Sequence, residues 1–189
     1  EINGLDDKVN LYLNYFNDER SKITIRDLLN MSSGLEYPEN QHENMFFLND
    51  HLEYSKSIGV EKEANTVFEY NNVNSMLLGD ILEKATGKKA DLLLNERILD
   101  PIGVKNSTVW TDNAGNPLAY CCIEMSARDY SRFGLLFSRN GNWNGNQLIS
   151  KDFVDETFTE YWDVTPQWWT NAKRGYTLHW WVSKNDEEG

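Results

Sequence analysis

Tyr70, Asn71 and Asn72 stand directly before an amphipathic stretch, and their side chains suit acyl transfer. A phenol can act as general base, and an amide two places on can hold a substrate carbonyl. Tyrosine is a poor base at its ordinary pKa of about 10 and becomes useful only beside a cation that favours the phenolate. No lysine adjoins Tyr70, so that cation is expected from elsewhere in the fold or from another segment. The nucleophile that fits such a base is a serine with a lysine one helical turn later. None of the serines here has a lysine three residues on. The chain therefore reads as part of an enzyme rather than a whole one. Taken alone, Phe68-Glu69-Tyr70 before a helix is more often a structural staple than a catalyst.

Other chemistry-bearing residues make weaker patterns. His42, His51 and His179 have no ligand spacing and no paired cysteine or aspartate cluster, so no metal site and no cofactor is expected. Asp112-Asn113-Ala114-Gly115-Asn116 opens like a calcium loop, but the periodic oxygen ligands and closing glutamate do not follow, which leaves a tight turn. Trp168-Trp169 and Trp180-Trp181 could stack on a sugar or line an acyl pocket, although aromatic pairs more often serve packing. Cys121 and Cys122 are the only cysteines. Neighbouring cysteines seldom pair, so they are expected as small buried hydrophobes without a disulfide.

The elements that must position Tyr70 and Asn72 are mostly helical. Apolar residues recur with a helical period from about Asn72 to Thr86, with Gly87 as the stop. Leu5, Val9, Tyr12, Leu13 and Phe16 suggest a short amphipathic helix. Thr24 and Asp27 sit in capping-box positions for a helix through Leu29, which Ser32-Ser33-Gly34 ends. Residues 36–50 read as an irregular loop with at most a helical turn. Further helices are expected from about Ala90 to Leu99, from Ser126 to Arg139 with Tyr130, Phe133, Leu136 and Phe137 inward, and from Ser150 through Phe158. Gly141 to Gln147 reads as a hairpin, Tyr176 to Val182 as a strand, and Asn185 to Gly189 as a polar tail.

Composition narrows the partners. A chain of 189 residues, 40% hydrophobic and 13% aromatic, can bury a real core. A net charge of -12 opposes nucleic acid as a partner, because phosphate binding rests on lysine and arginine. It equally opposes an anionic membrane surface. No apolar run approaches the roughly 20 residues of a membrane span.

Several stretches together resemble the serine hydrolases related to class C β-lactamases and penicillin-binding proteins, a group that includes esterases, D-amino-acid peptidases and 6-aminohexanoate-dimer hydrolases. Ile23 to Leu35 is the most specific match. Leu5 to Val9, Phe68 to Leu78, Leu78 to Glu83, Thr86-Gly87 and Asp100 to Gly103 follow in family order. Ala119 to Cys122, Arg128-Asp129, Arg132 to Gly134 and Tyr176 to Trp181 are similar to the branch nearest the aminohexanoate hydrolases and esterases.

The resemblance implies Tyr70 as the general base, Asn72 as a substrate-binding amide, and a small-molecule ester or amide as substrate. It also implies a Ser-x-x-Lys motif before Glu1 and a His-x-Gly or Lys-Thr-Gly motif after Gly189. The expected fold is mainly α with a few short strands. It corresponds to the helical lobe of a β-lactamase-like α+β domain, with the core sheet largely absent from residues 1–189. Remaining segments of the same polypeptide are then partners, and a lobe on its own is expected to be inactive and to expose an apolar face. The resemblance is compatible with a periplasmic or secreted protein, and the compartment is left open. Two alternatives stay open: a penicillin-recognising or peptidoglycan-binding protein that does not hydrolyse, and a carbohydrate-binding module built on the tryptophan pairs.

Overall fold

The computed structural model describes residues 2–159, 162–164 and 173–184. Its centre is α4 (Asn72–Thr86), the longest helix among the described residues. Val73, Met76, Leu77 and Ile81 of α4 are buried, as the helical period predicts. They pack against α1 (Ile25–Leu29) and α3 (His51–Ser57), joined by Val9, Leu13, Phe16, Leu35 and Met45. Gly87 ends α4 at φ 74, the left-handed turn expected of a C-terminal glycine.

The capping box of α1 is complete. Thr24 Oγ1 accepts from the Asp27 amide at 3.1 Å, and the Asp27 carboxylate accepts from the Thr24 amide at 2.8 Å. The segment around Val9 departs from expectation. It forms only a short 3-10 turn, Val9–Leu11, instead of an amphipathic helix. Its backbone is committed to long-range pairing: the Val9 amide donates to Ile23 and the Ile25 amide donates to Asp7. The apolar spacing still serves its purpose, since Val9, Leu13 and Phe16 are all buried.

Residues 36–50 contain α2 (Gln41–Phe46), and α3 follows directly. The periodicity did not reveal α3, yet its signal is present: Asp50 caps it by accepting from the Glu53 amide at 2.8 Å. A second apolar cluster forms around Leu99, Ile102, Val104 and Leu136. It joins α5 (Ala90–Leu94), the π-helical turn Asn95–Leu99 that continues it, and α6 (Ala127–Ser138), whose N-cap is Ser126. Leu136 and Phe137 of α6 point inward, whereas Tyr130 stays exposed and its hydroxyl donates to the Ile123 carbonyl. α7 (Lys151–Thr159) completes the helices.

Strands are few and short. β1 (Thr108–Val109) pairs with β2 (Ile123–Glu124), and β3 (Asn142–Trp143) with β4 (Asn146–Gln147), the latter being the expected hairpin. A third sheet has antiparallel order β5 (Trp162–Asp163), β6 (Lys173–Thr177), β7 (Trp180–Lys184). The single strand expected from Tyr176 to Val182 is thus a turn between two strands. Leu178 and His179 make that turn with φ values of 43 and 68. The Leu178 amide donates to Asn30 Oδ1 and the His179 amide to the Leu29 carbonyl, so α1 holds the turn in place. Trp168-Trp169 and Asn185 to Gly189 lie outside the described residues. No described helix is long and apolar enough to cross a membrane.

Candidate active site

The local conformation before α4 decides what Tyr70 and Asn72 can reach. Asn71 is the N-cap, in extended geometry at φ -130 and ψ 114, and its Oδ1 accepts from the Val73 amide at 3.0 Å. In extended backbone successive side chains point to opposite sides. Asn71 therefore turns inward and is buried, while Tyr70 and Asn72 on either side of it both line one open cleft of about 530 Å³. Asn71 also donates from Nδ2 to the Glu36 carbonyl at 3.3 Å. The sequence reading assigned this middle residue no task; the structure makes it the anchor.

Met31 supports the same segment from behind. It sits at φ 54 after α1, its carbonyl accepts from the Glu69 amide at 2.7 Å, and its Sδ lies 3.5 Å from both the Asn71 amide and Asn74 Nδ2. Ser33 Oγ donates to Asn74 Oδ1 at 2.7 Å, which ties the first turn of α4 to the loop after α1. That loop turns at Gly34, φ 72, where a Cβ would stand 2.1 Å from the Lys62 carbonyl oxygen. Only glycine fits there.

Three rings fix the phenol of Tyr70. Trp181 of β7 stacks on it with centroids 5.5 Å apart, Tyr176 of β6 meets it edge-on at 5.9 Å, and His42 of α2 meets it edge-on at 6.0 Å. Trp181 thereby takes a packing role beside the candidate base. Trp180 packs on Phe133 and Phe137 of α6. Tyr176 is buried, and that burial pushes its phenol above the ordinary range, so it stays neutral. His42, Glu43, Phe46, Phe47, Tyr120 and Cys121 form the rest of the cleft lining, which among the described residues holds no lysine or arginine.

The three histidines occupy separate places. His51 is buried at the start of α3, with Nε2 3.1 Å from the Leu48 carbonyl and Nδ1 3.0 Å from Tyr120 Oη. A carbonyl only accepts, so in the neutral ring Nε2 carries the proton and Nδ1 accepts from the Tyr120 hydroxyl. The His51 amide donates to Asp112 Oδ2, and Asp112 Oδ1 accepts from the Asn116 amide, which closes the tight turn expected at residues 112–116. His179 faces a different space, an apolar groove of about 440 Å³ lined by Leu29, Leu78, Leu82 and Leu94 among others. Burial pushes its imidazole down to about 4, partly offset by a hydrogen bond with the backbone of Leu28. Among the described residues no group of three or more His, Cys, Asp or Glu could hold a metal ion.

Cys121 and Cys122 are joined in a disulfide, contrary to the expectation of unpaired thiols. Cys122 adopts φ 71, a left-handed turn that brings neighbouring side chains to the same side of the backbone. Cys121 borders both the Tyr70 cleft and the apolar groove, so the two spaces share one wall.

Comparison with known proteins agrees with this architecture. The β-lactamase family profile matches residues 2–189, and the chain belongs to that family. It is 30% identical over 115 residues to the N-acetylmuramyl-L-alanine amidase of Bacillus subtilis (strain 168), covering 53% of this chain and 26% of that protein. It is likewise 30% identical over 131 residues to a D-aminopeptidase of Brucella anthropi, covering 58% of this chain and 22% of that one. A 6-aminohexanoate-dimer hydrolase homologue from Bacillus anthracis has a similar fold, with a TM-score of 0.83 at 24% identity, over 96% of this chain and 53% of that one. The matched stretches thus span about a quarter of the two curated relatives and about half of the structural one.

Proposed function

We propose that residues 1–189 form the helical lobe of a serine hydrolase that cleaves an ester or amide through an acyl-enzyme. One observation carries this reading: Tyr70 and Asn72 open onto the same cleft while Asn71 between them is buried as the helix cap. A serine hydroxyl supplied by a segment outside these residues attacks the acyl carbonyl, and the Tyr70 phenolate takes its proton. A lysine from that same segment is the cation that keeps the phenol ionised. The Asn72 amide N–H donates to the substrate carbonyl group, and backbone N–H groups hold the oxyanion. As the adduct collapses, the leaving alcohol or amine recovers the proton from Tyr70. Water then repeats the sequence and releases the acid. The described lobe supplies base and positioning, and the nucleophile completes the site.

The experiment is turnover of small p-nitrophenyl esters by the full-length protein, with and without Tyr70→Phe, alongside labelling by a fluorophosphonate probe. We expect stoichiometric labelling of one serine and a loss of about 10²-fold or more in kcat in the variant, the usual scale for general-base catalysis. Normal turnover by the Tyr70→Phe protein would rule out the role given to this phenol. Acylation by a β-lactam without any ester turnover would point instead to a penicillin-recognising protein.

A further inference from the structure

The wall that the Tyr70 cleft shares with the apolar groove carries a disulfide between sequence neighbours, a bond to which the hydrolase reading gives no task. The wall segment is pinned on two sides. Towards β1 the Leu118 amide donates to the Trp110 carbonyl at 2.8 Å, the Trp110 amide donates to the Cys122 carbonyl at 3.0 Å, and Ile123 pairs with Val109. Towards α3 the Tyr120 hydroxyl donates to His51 Nδ1 at 3.0 Å. α4 passes close by at Gly79, where an added Cβ would stand 3.3 Å from that of Ala119. Between these anchors Cys122 takes φ 71, a region in which a side chain crowds its own backbone. The disulfide closes the two adjacent residues into a small ring and so holds Cys122 there. Both cysteines are partly exposed, and Cys121 borders the open cleft, where a small thiol can reach its sulfur.

Resting on the hydrolase reading above, we propose that Cys121–Cys122 is a reversible thiol–disulfide site that latches the wall of the cleft, and that a small dithiol opens it. One thiolate of the dithiol attacks Cys121 Sγ and forms a mixed disulfide, and Cys122 leaves as a thiolate that takes up a proton. The second thiolate of the dithiol then displaces Cys121 and closes a disulfide of its own. Two electrons pass to the cysteines, and two protons complete their thiols. With the ring open, the covalent hold on Cys122 is gone, and its backbone relaxes to the negative φ that a non-glycine residue prefers. The hydrogen bond from Trp110 fixes the carbonyl side of Cys122, so the movement is taken up by Tyr120 and Cys121, which line the cleft. The closed latch is the active form, and opening it reshapes the cleft and lowers turnover.

The test uses the full-length protein equilibrated in mixtures of reduced and oxidised dithiothreitol. Intact mass after iodoacetamide gives the opened fraction, and promptly desalted samples give kcat/KM for p-nitrophenyl butyrate. The expected kcat/KM falls by about tenfold in step with the opened fraction, the shift that follows when a left-handed residue is free to relax, and recovers on re-oxidation. Cys121→Ser with Cys122→Ser has the low turnover of the opened form in every mixture. Cys121→Ser with Cys122→Gly regains most of the turnover, because glycine takes positive φ without the ring. Opening without loss of turnover overturns the inference, as does a disulfide that dithiothreitol opens only in urea. A glycine variant as slow as the serine variant overturns it too, and so does a reductant-dependent loss that the serine variant shares. Each of these outcomes leaves ester cleavage, and with it the hydrolase reading, in place. If no ester is cleaved in any mixture the hydrolase reading fails, and tryptophan emission becomes the readout of the latch. A reversible change on reduction that the serine variant lacks upholds the latch, and identical emission in both states removes it.

Discussion

Replacing Asn71 by alanine tests the link between helix capping and the candidate site. Two hydrogen bonds disappear: the cap from Oδ1 to the Val73 amide at 3.0 Å, and the donation from Nδ2 to the Glu36 carbonyl at 3.3 Å. The second loss is mild, since Gln41 Nε2 also donates to that carbonyl at 3.2 Å. The first is severe, because Val73 is fully buried and water cannot replace the missing acceptor. A lost cap costs about 1 kcal/mol, and a buried donor left unsatisfied costs about 1–3 kcal/mol for the same group, so the total is about 2 kcal/mol. For a protein of this size that lowers Tm by about 4–8 °C, and by less for a longer chain. The assay is urea unfolding of the full-length protein, read as a shift of midpoint at unchanged slope. Asn71→Ser restores an acceptor at the cap and should recover most of the loss. Ester turnover should fall with Asn71→Ala, since Tyr70 and Asn72 flank the frayed cap. A loss under about 0.5 kcal/mol, within the range of an ordinary surface substitution, would refute the reasoning. So would a serine variant no more stable than alanine.

Further expectations concern the buried groups. The folded His179 titrates at about 4 against an unfolded value of 6.5, so the unfolded chain binds more protons in that window. Stability therefore falls as pH is lowered from 6.5 to about 4, and is untouched by this group above it. The difference amounts to about 3 kcal/mol at roughly 1.4 kcal/mol per unit. His179→Gln should flatten that decline, and parallel stability curves for the two proteins would contradict it. Tyr15 donates to buried Asp80 at 2.7 Å, bridging the N-terminal segment to α4. Tyr15→Phe should destabilise by about 1.5–3 kcal/mol in urea titrations, and a neutral result would mean that Lys84 or water holds Asp80 well enough alone. Iodoacetamide under native conditions should leave Cys121 and Cys122 unmodified until a reductant is added, as intact mass would show; alkylation without reductant would deny the disulfide.

Local sequence chemistry determined the elements on either side of the site. Thr24 and Asp27 specify the start of α1, Gly87 specifies the end of α4, and Ser126 specifies the start of α6, because each interaction spans only a few residues. The position of Tyr70 and Asn72 at the start of α4 was legible for the same reason, and membership of the β-lactamase family was legible through the stretch from Ile23 to Leu35. What needed tertiary structure was everything set by partners far along the chain. The helical period around Val9 gave way to a 3-10 turn once its backbone paired with Ile23 and Asp7. The aromatic run after Lys173 folded into a hairpin because α1 binds its turn through Asn30 and Leu29. Local alternation carries no record of such distant hydrogen bonds. The rings that fix Tyr70, and the cleft that Glu43 and Phe47 share with Tyr70 and Tyr120, arise from packing across dozens of residues, and only the folded chain contains them.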